Sequence, residues 1–370
     1  MLIKDFNKQY KEDIAARGIA RVETEKIPFT SPRANYMLYG GIPRGRIIEF
    51  AGEEGGGKTT TALDIAANAQ PLFRREWEEE IAELKAIEKP KKEETARLTY
   101  LESRGPKQII YADCENTLDE DWARLLGVDV DEMVILKPMS QTAEQIFEML
   151  LQMIETDEAG LVVIDSLGVM LSAQAYEKSM EEKTYGGIAA ALTLFSKKAE
   201  LLCTKYNCSL IGINQIRENM NSPYGGVITT GGRGWKHNCS VRLMFSKGQY
   251  LDERGNALKR SAESPAGNEV LIHIAKTKVC KPDRRVGFYT LMYDTGIDEI
   301  ADTIEVGIRY GIVQQAGSWF NFVDIDTGEI IADDEGEVIK LQGRPNVIEY
   351  LEDNQYLLEE IKAKINEKIF

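Results

Sequence analysis

Apolar residues gather in short unbroken runs along this chain, separated by longer stretches in which they recur every three or four positions. Arg46 to Ala51, Gln108 to Asp113, Met133 to Lys137, Leu161 to Asp165 and Ser209 to Asn214 have strand length and little alternation, the pattern of strands covered on both faces. Val241 to Phe245, Val270 to Lys276 and Gly287 to Tyr293 follow. Helical runs separate the early strands but not the late ones. The pattern predicts an α/β fold with a mainly parallel twisted sheet flanked by helices and an antiparallel edge. Thr60 to Gln70 reads as a helix, and residues 5–17 as a short amphipathic helix stopped by Gly18, with Ile19 to Ile27 alternating like an edge strand. Residues 74–104 are densely charged with mixed signs and broken by Pro90, which predicts a solvated helical pair with Trp77, Ile81, Leu84 and Ile87 on its inner stripe. Beyond Gly296 the expectation is a helix from Asp298 to Ile312, a hairpin of Trp319 to Val323 with Gly328 to Ile331, and more helix from Arg344 to Phe370. Three units follow: a lead-in over 1–28, an α/β core over 29–296 carrying the 74–104 insertion, and a small α/β domain over 297–370.

Composition narrows the class. With 370 residues and 43% hydrophobic content, the chain can bury one large core plus an appendage. No apolar run approaches the ~18 residues of a membrane span, and the start turns charged too early for a secretory signal, so a cytoplasmic protein without membrane contact is expected. Cys114, Cys203, Cys208, Cys239 and Cys280 are scattered and form no C-x-x-C pair, which points to neither a disulfide framework nor a zinc site. A net charge of −15 argues against a wholesale nucleic-acid binder, so any DNA surface must be a local basic one.

The chemistry begins at Gly52-Glu53-Glu54-Gly55-Gly56-Gly57-Lys58-Thr59, a G-x-x-x-x-G-K-T phosphate loop between a buried strand and a helix that opens with Thr60. Glycines allow successive backbone N–H groups to turn toward phosphates, Lys58 brings a point charge, and the Thr59 hydroxyl suits a Mg²⁺ ion. The motif implies a bound nucleoside triphosphate. Asp165, ending the apolar run Leu161 to Asp165, is the carboxylate such a metal needs beside the Thr59 hydroxyl. A further carboxylate must orient the attacking water; Glu115 and Asp113, just past another strand end, compete evenly on periodicity alone.

Gly40 to Gln70, Asp113 to Asp119, Val162 to Leu167, Asn214-Gln215-Ile216-Arg217 with Thr229-Thr230-Gly231-Gly232, Lys276-Thr277-Lys278 and Gly307 to Trp319 together resemble bacterial RecA recombinases, in order and at comparable spacing. The likeness covers most of the chain from about Ile27 onward. It implies a RecA-type P-loop core and a DNA-dependent ATPase: an ATP- and Mg²⁺-dependent filament on single-stranded DNA that pairs with homologous duplex DNA and exchanges strands in recombination and repair. Carried over by motif, it makes Glu115 the catalytic carboxylate, Gln215 the sensor of the γ-phosphate, and Lys276 and Lys278 the cations that reach a neighbour's ATP across the filament interface. Asp119 and Trp122 match positions that contact adenine. Residues 219–234, with Tyr224, Thr230, Gly231, Gly232, Arg233 and then Lys236, resemble the family's second DNA-binding loop, supported by Arg217, Lys197, Lys198 and Arg242. Residues 173–187 match the first such loop, though three glutamates against two lysines make it a poor phosphate cradle. The insertion at 74–104 and an end at Phe370 without a long acidic tail mark a divergent member, with a bacteriophage-encoded one among the sources that pattern allows. The rival readings are a ring-forming replicative helicase on the same core and an ATP-gated DNA-binding protein that exchanges no strands.

Overall fold

The computed structural model describes residues 24–177, 187–218, 227–324, 326–332 and 336–369, together with Lys8. The predicted lead-in helix, most of the strand before Ile27, and Tyr224 lie outside the described residues. An 11-stranded sheet organises the rest. Its central strand, Ile47–Gly52, runs parallel to Ser209–Glu218 on one side and Val241–Leu251 on the other. Ala159–Asp165, Gln108–Asp113 and Met133–Leu136 extend the parallel part. Gly267–Thr277, Val286–Met292 and Gly296–Ile297 complete the other edge in antiparallel sense. The division follows from the connections, since parallel neighbours need a crossover and helices Lys58–Lys85, Ala143–Glu155 and Ala189–Tyr206 supply it, whereas the late strands turn straight back. The carboxyl ends of the parallel strands therefore open on one side, where ligands of such sheets bind.

Both faces of the sheet are covered. Ile48, Phe50, Ile211 and Ile213 pack with Leu63, Ala66 and Phe73 of the first helix. On the other face Ile47, Val162, Ile164 and Leu210 meet Phe147 and Phe195, whose rings stack 4.4 Å apart. Removing this much apolar surface from water is the main stabilising term for such a core.

The helix after the phosphate loop does not stop near Gln70. It runs through Pro71 to Lys85, and Lys92–Arg104 returns alongside it, so the charged stretch is a helical pair as expected, whose first member continues the helix of the phosphate loop. Proline removes only one amide from a ladder, and here Ala69 and Phe73 are buried on either side of it. Trp77 Nε1 donates to the Leu101 carbonyl at 2.8 Å, while Arg97 pairs with Glu80 and Lys85 with Glu102. Trp77, Ile81 and Leu84 are half-buried as expected, and Ile87 is exposed. Asp157 fastens the hairpin's base, accepting from Arg104 at 3.1 Å, Lys107 at 2.8 Å and the Tyr100 hydroxyl at 3.2 Å.

Past Gly296, Glu299–Tyr310 is helical, but the hairpin differs from expectation. Trp319–Phe322 pairs with Val313–Ala316 and with Leu341–Gln342, while Ile330 contributes a single bridge to Val323. The main turn falls at Gly317, which adopts a φ of 64°, so the chief reversal comes before Trp319 rather than between Val323 and Gly328. The final helical stretch is two helices, Arg344–Asp353 and Gln355–Ile369, separated at Asn354. They form a third apolar cluster with Ile304, Val313, Phe320 and Phe322. Among the described residues no helix is long and apolar enough to cross a membrane.

Candidate nucleotide and DNA site

The phosphate loop sits at the carboxyl end of the central strand. Gly55 and Gly57 have φ of 68° and 91°, a region that side chains rarely adopt. A Cβ on Gly52 would lie 2.3 Å from the Phe245 carbonyl oxygen, and one on Gly57 would meet both Val270 methyls at 2.8 Å. The glycines are thus demanded by packing as well as by ligand approach. Lys58 is buried, with its Nζ donating to the carbonyls of Gly52 at 3.1 Å and Glu53 at 2.5 Å. Burial holds its pKa below the ordinary lysine value against the pull of Asp165 and Glu115. Glu53, Glu54 and Gly55 are exposed at the tip, Gly56 is buried, and Thr59 and Thr60 are half-buried at the start of the helix.

Thr59 Oγ1 donates to Asp165 Oδ2 at 2.7 Å, and the Tyr111 hydroxyl donates to the same oxygen at 2.7 Å. Burial pushes the Asp165 carboxyl upward, an effect partly offset by those two donors. Glu115 is half-buried, accepts from Ser166 Oγ, and stands 3.5 Å from Gln215 Nε2. Asp113 is turned elsewhere, accepting the backbone N–H groups of Thr117 and Leu118 at 3.1 Å each. Cys114, wedged between these carboxylates, has its thiol pushed up to about 12, first by burial and then by the charges of Asp113, Asp165 and Glu115.

These residues fit a nucleoside triphosphate and a divalent cation. The cradle leaves no room for a Cβ at Gly52 or Gly57, Lys58 places its ammonium among the loop carbonyls, and negative charge gathers at Asp113, Glu115 and Asp165, where a cation belongs. Among the described residues no group of three His, Cys, Asp or Glu could hold a metal alone, so Thr59 and Asp165 would share it with phosphate oxygens.

The remaining expected residues spread outward. Asp119 caps the helix Glu120–Leu125, accepting from Trp122 N at 3.0 Å, and the Trp122 indole N–H reaches Thr60 Oγ1 at 3.4 Å while its ring packs on the core. Arg217 is exposed on Ser209–Glu218, opposite Ile228 of the short strand Val227–Thr229. Gly231 and Gly232, with φ of 97° and 66°, open the helix Gly232–Asn238, where Arg233 is exposed and Lys236 half-buried. The Thr230 carbonyl accepts from Asn214 Nδ2 at 2.9 Å. Lys198 is exposed, 3.9 Å from Glu148. Two expected cations are engaged within the chain. Arg242 pairs with the buried Glu49, which neutralises the charge a DNA strand would need, and Lys276 Nζ donates to the carbonyls of Lys236 and His237 at 2.7 Å each. Lys278 is exposed beside it. Tyr111, Ser166 and Glu49 were not singled out from the sequence, because each lies within an ordinary-looking strand or strand end.

A parallel sheet whose central strand ends in a phosphate loop, with a buried aspartate at the end of the next strand but one, defines a P-loop nucleotide-binding core. The family model of the RecA N-terminal domain matches residues 96–298, and that of the RecA C-terminal domain matches 301–370. Protein RecA of Clostridium tetani is 31% identical over 330 residues, covering 89% of this chain and 78% of the relative. Protein RecA of Ruminococcus albus is 30% identical over 97% of this chain and 77% of its own length, and that of Thermus aquaticus 29% identical over 99% and 92%. The chain belongs to the RecA family and is a divergent, RecA-like recombinase. Membership implies a DNA-dependent ATPase that uses ATP with a divalent metal, binds single-stranded DNA and forms filaments.

Proposed function

We propose that this chain hydrolyses ATP with Mg²⁺ while assembled head to tail on single-stranded DNA, and that the filament pairs this strand with a homologous duplex and exchanges strands. The observation that carries the reading is the position of Glu115, held by Ser166 and facing Gln215 across the strand ends, beside the Thr59 and Asp165 pair.

The bound triphosphate would supply the phosphoanhydride, and Mg²⁺ would supply charge screening for it. Gly52 to Gly57 bind phosphate through backbone N–H groups, and Lys58 exchanges its loop carbonyls for phosphate oxygens. Thr59 and Asp165 would hold the metal. Glu115 positions the attacking water and accepts its proton, and Gln215 contacts the γ-phosphate. Asp119 and Trp122 flank the base. Lys276 and Lys278 complete a neighbour's site, with Lys276 releasing the helix carbonyls it holds here. In this reading residues 1–28 pack on the next subunit, 29–296 form the ATPase core and 297–370 a small accessory domain. Arg217, Arg233, Lys236 and Lys198, with Thr230, Gly231, Gly232 and Tyr224, face DNA. Such a mix of glycines, one aromatic and flanking cations suits sequence-tolerant binding of a single strand. Arg242 is left out of that surface because Glu49 holds it.

ATP turnover with and without single-stranded DNA tests the reading. Turnover stimulated by DNA and abolished by Lys58→Ala is expected; turnover unaffected by that substitution contradicts it.

A further inference from the structure

Glu49 lies on the central strand with no exposure to solvent, yet it carries a carboxylate. A buried carboxylate persists only where donors surround it. Three elements provide them. Asn214 Nδ2 and Trp235 Nε1 both donate to Oε1, at 3.0 and 2.9 Å, and Arg242 Nε donates to Oε2 from the strand on the other side.

Each partner stands at an informative place. Asn214 immediately precedes Gln215, and the same Nδ2 also donates to the Thr230 carbonyl at 2.9 Å. Its Oδ1 is buried without a hydrogen-bond partner, a cost of the kind that functional sites retain. Trp235 occupies the middle of the helix Gly232–Asn238, which follows Thr230 directly, and its ring fills a seat shaped for it: a Cβ on Gly212 would lie 2.6 Å from Trp235 Cζ2. The last carbonyls of that helix receive Lys276. One carboxylate oxygen therefore serves a donor beside the nucleotide contact and a donor on the helix behind the DNA-facing residues. Two donors on one oxygen cannot shift independently.

We propose that Glu49 is a positioning residue that couples nucleotide binding at Gln215 to the arrangement of Thr230–Arg233, through Asn214 and Trp235. The inference rests on the reading of Gln215 as a nucleotide contact and of residues 230–233 as part of the DNA surface. Arg242 supplies the counter-charge that lets the carboxylate stay buried.

Trp235→Phe keeps the ring in its seat and deletes one N–H donor; Glu49→Gln keeps an acceptor and deletes the charge. Affinity for a fluorescent single-stranded oligonucleotide is measured with and without ATP and Mg²⁺, beside thermal melting and ATP turnover. The expected result for Trp235→Phe is unchanged melting and unchanged nucleotide-free affinity, with the tightening caused by ATP reduced about tenfold, the scale of one buried hydrogen bond to a charged group. Glu49→Gln should move the same way. Full tightening in both variants overturns the proposal, as does an equal loss of affinity with and without ATP, which marks a merely structural role. A parent chain that tightens on DNA but shows no turnover contradicts the ATPase reading and leaves the coupling standing; a parent that does not tighten overturns the coupling.

Discussion

Asp113 and Glu115 leave the same strand end two residues apart, and their carboxylates serve different partners. Asp113 accepts two backbone N–H groups of the turn that follows it, whereas Glu115 faces Ser166 and Gln215 at the mouth of the site. One carboxylate builds the loop and the other is available to the chemistry.

That difference predicts separable variants. Glu115→Gln should lower DNA-stimulated ATP turnover by about 10²- to 10⁴-fold while ATP binding persists, because only the acceptor for the water's proton is lost. Asp113→Asn should lower the melting temperature through the weakened turn and spare most of the turnover. Steady-state kinetics with nucleotide-binding measurements decide, and equal losses of turnover in both variants would contradict the assignment.

A second prediction concerns pH. Thr30 and Ser31, where the chain enters the core, are gripped by two buried carboxyls. Asp64 of the long first helix accepts from Thr30 N at 3.2 Å, and Asp302 of the helix Glu299–Tyr310 accepts from Ser31 Oγ at 2.5 Å and Arg33 at 3.1 Å. Burial raises Asp64 from 3.8 to about 7 and Asp302 to about 6. Both bind a proton more tightly folded than unfolded, so their effect on stability is most favourable below about pH 4 and declines as pH rises to about 7, then levels off. Asp64→Asn should remove its part of that decline. Melting temperatures of parent and variant between about pH 5 and about pH 8 test this, and a difference that does not vary with pH contradicts it.

The helical hairpin gives a third. Asp157 has a φ of 63°, a conformation asparagine tolerates as well, and its carboxylate holds Arg104, Lys107 and Tyr100. Asp157→Asn should therefore cost about 1–3 kcal/mol through the lost charge and one lost acceptor oxygen, with DNA-stimulated turnover preserved. Chemical denaturation reads the first effect and kinetics the second; unchanged stability would show that the hairpin's base is fastened elsewhere.

The sheet was legible in the sequence because its strands are buried on both faces and read as unbroken apolar runs, and the phosphate loop because its spacing is tied to phosphate geometry. The limits are equally physical. The sequence reads the helix after the phosphate loop only to Gln70, but it continues through Pro71 to Lys85, and Trp77 and Leu101 hold the hairpin together across sequence distance. Val241–Leu251 and Gly267–Thr277 run several residues past their apolar runs, since one face of that antiparallel edge is polar. The choice between Asp113 and Glu115 depended on where each carboxylate turns, which periodicity does not encode. Glu49 and Arg242 are 193 positions apart and meet only in space, so the sequence offers Arg242 as a free cation and says nothing of Glu49 until the sheet brings them together.

The most direct test of the central claim is three-strand exchange between circular single-stranded DNA and homologous linear duplex DNA, with ATP and Mg²⁺, run beside Glu115→Gln. The account predicts joint molecules and nicked circles from the parent chain. DNA-stimulated ATP turnover without any joint molecules would contradict it.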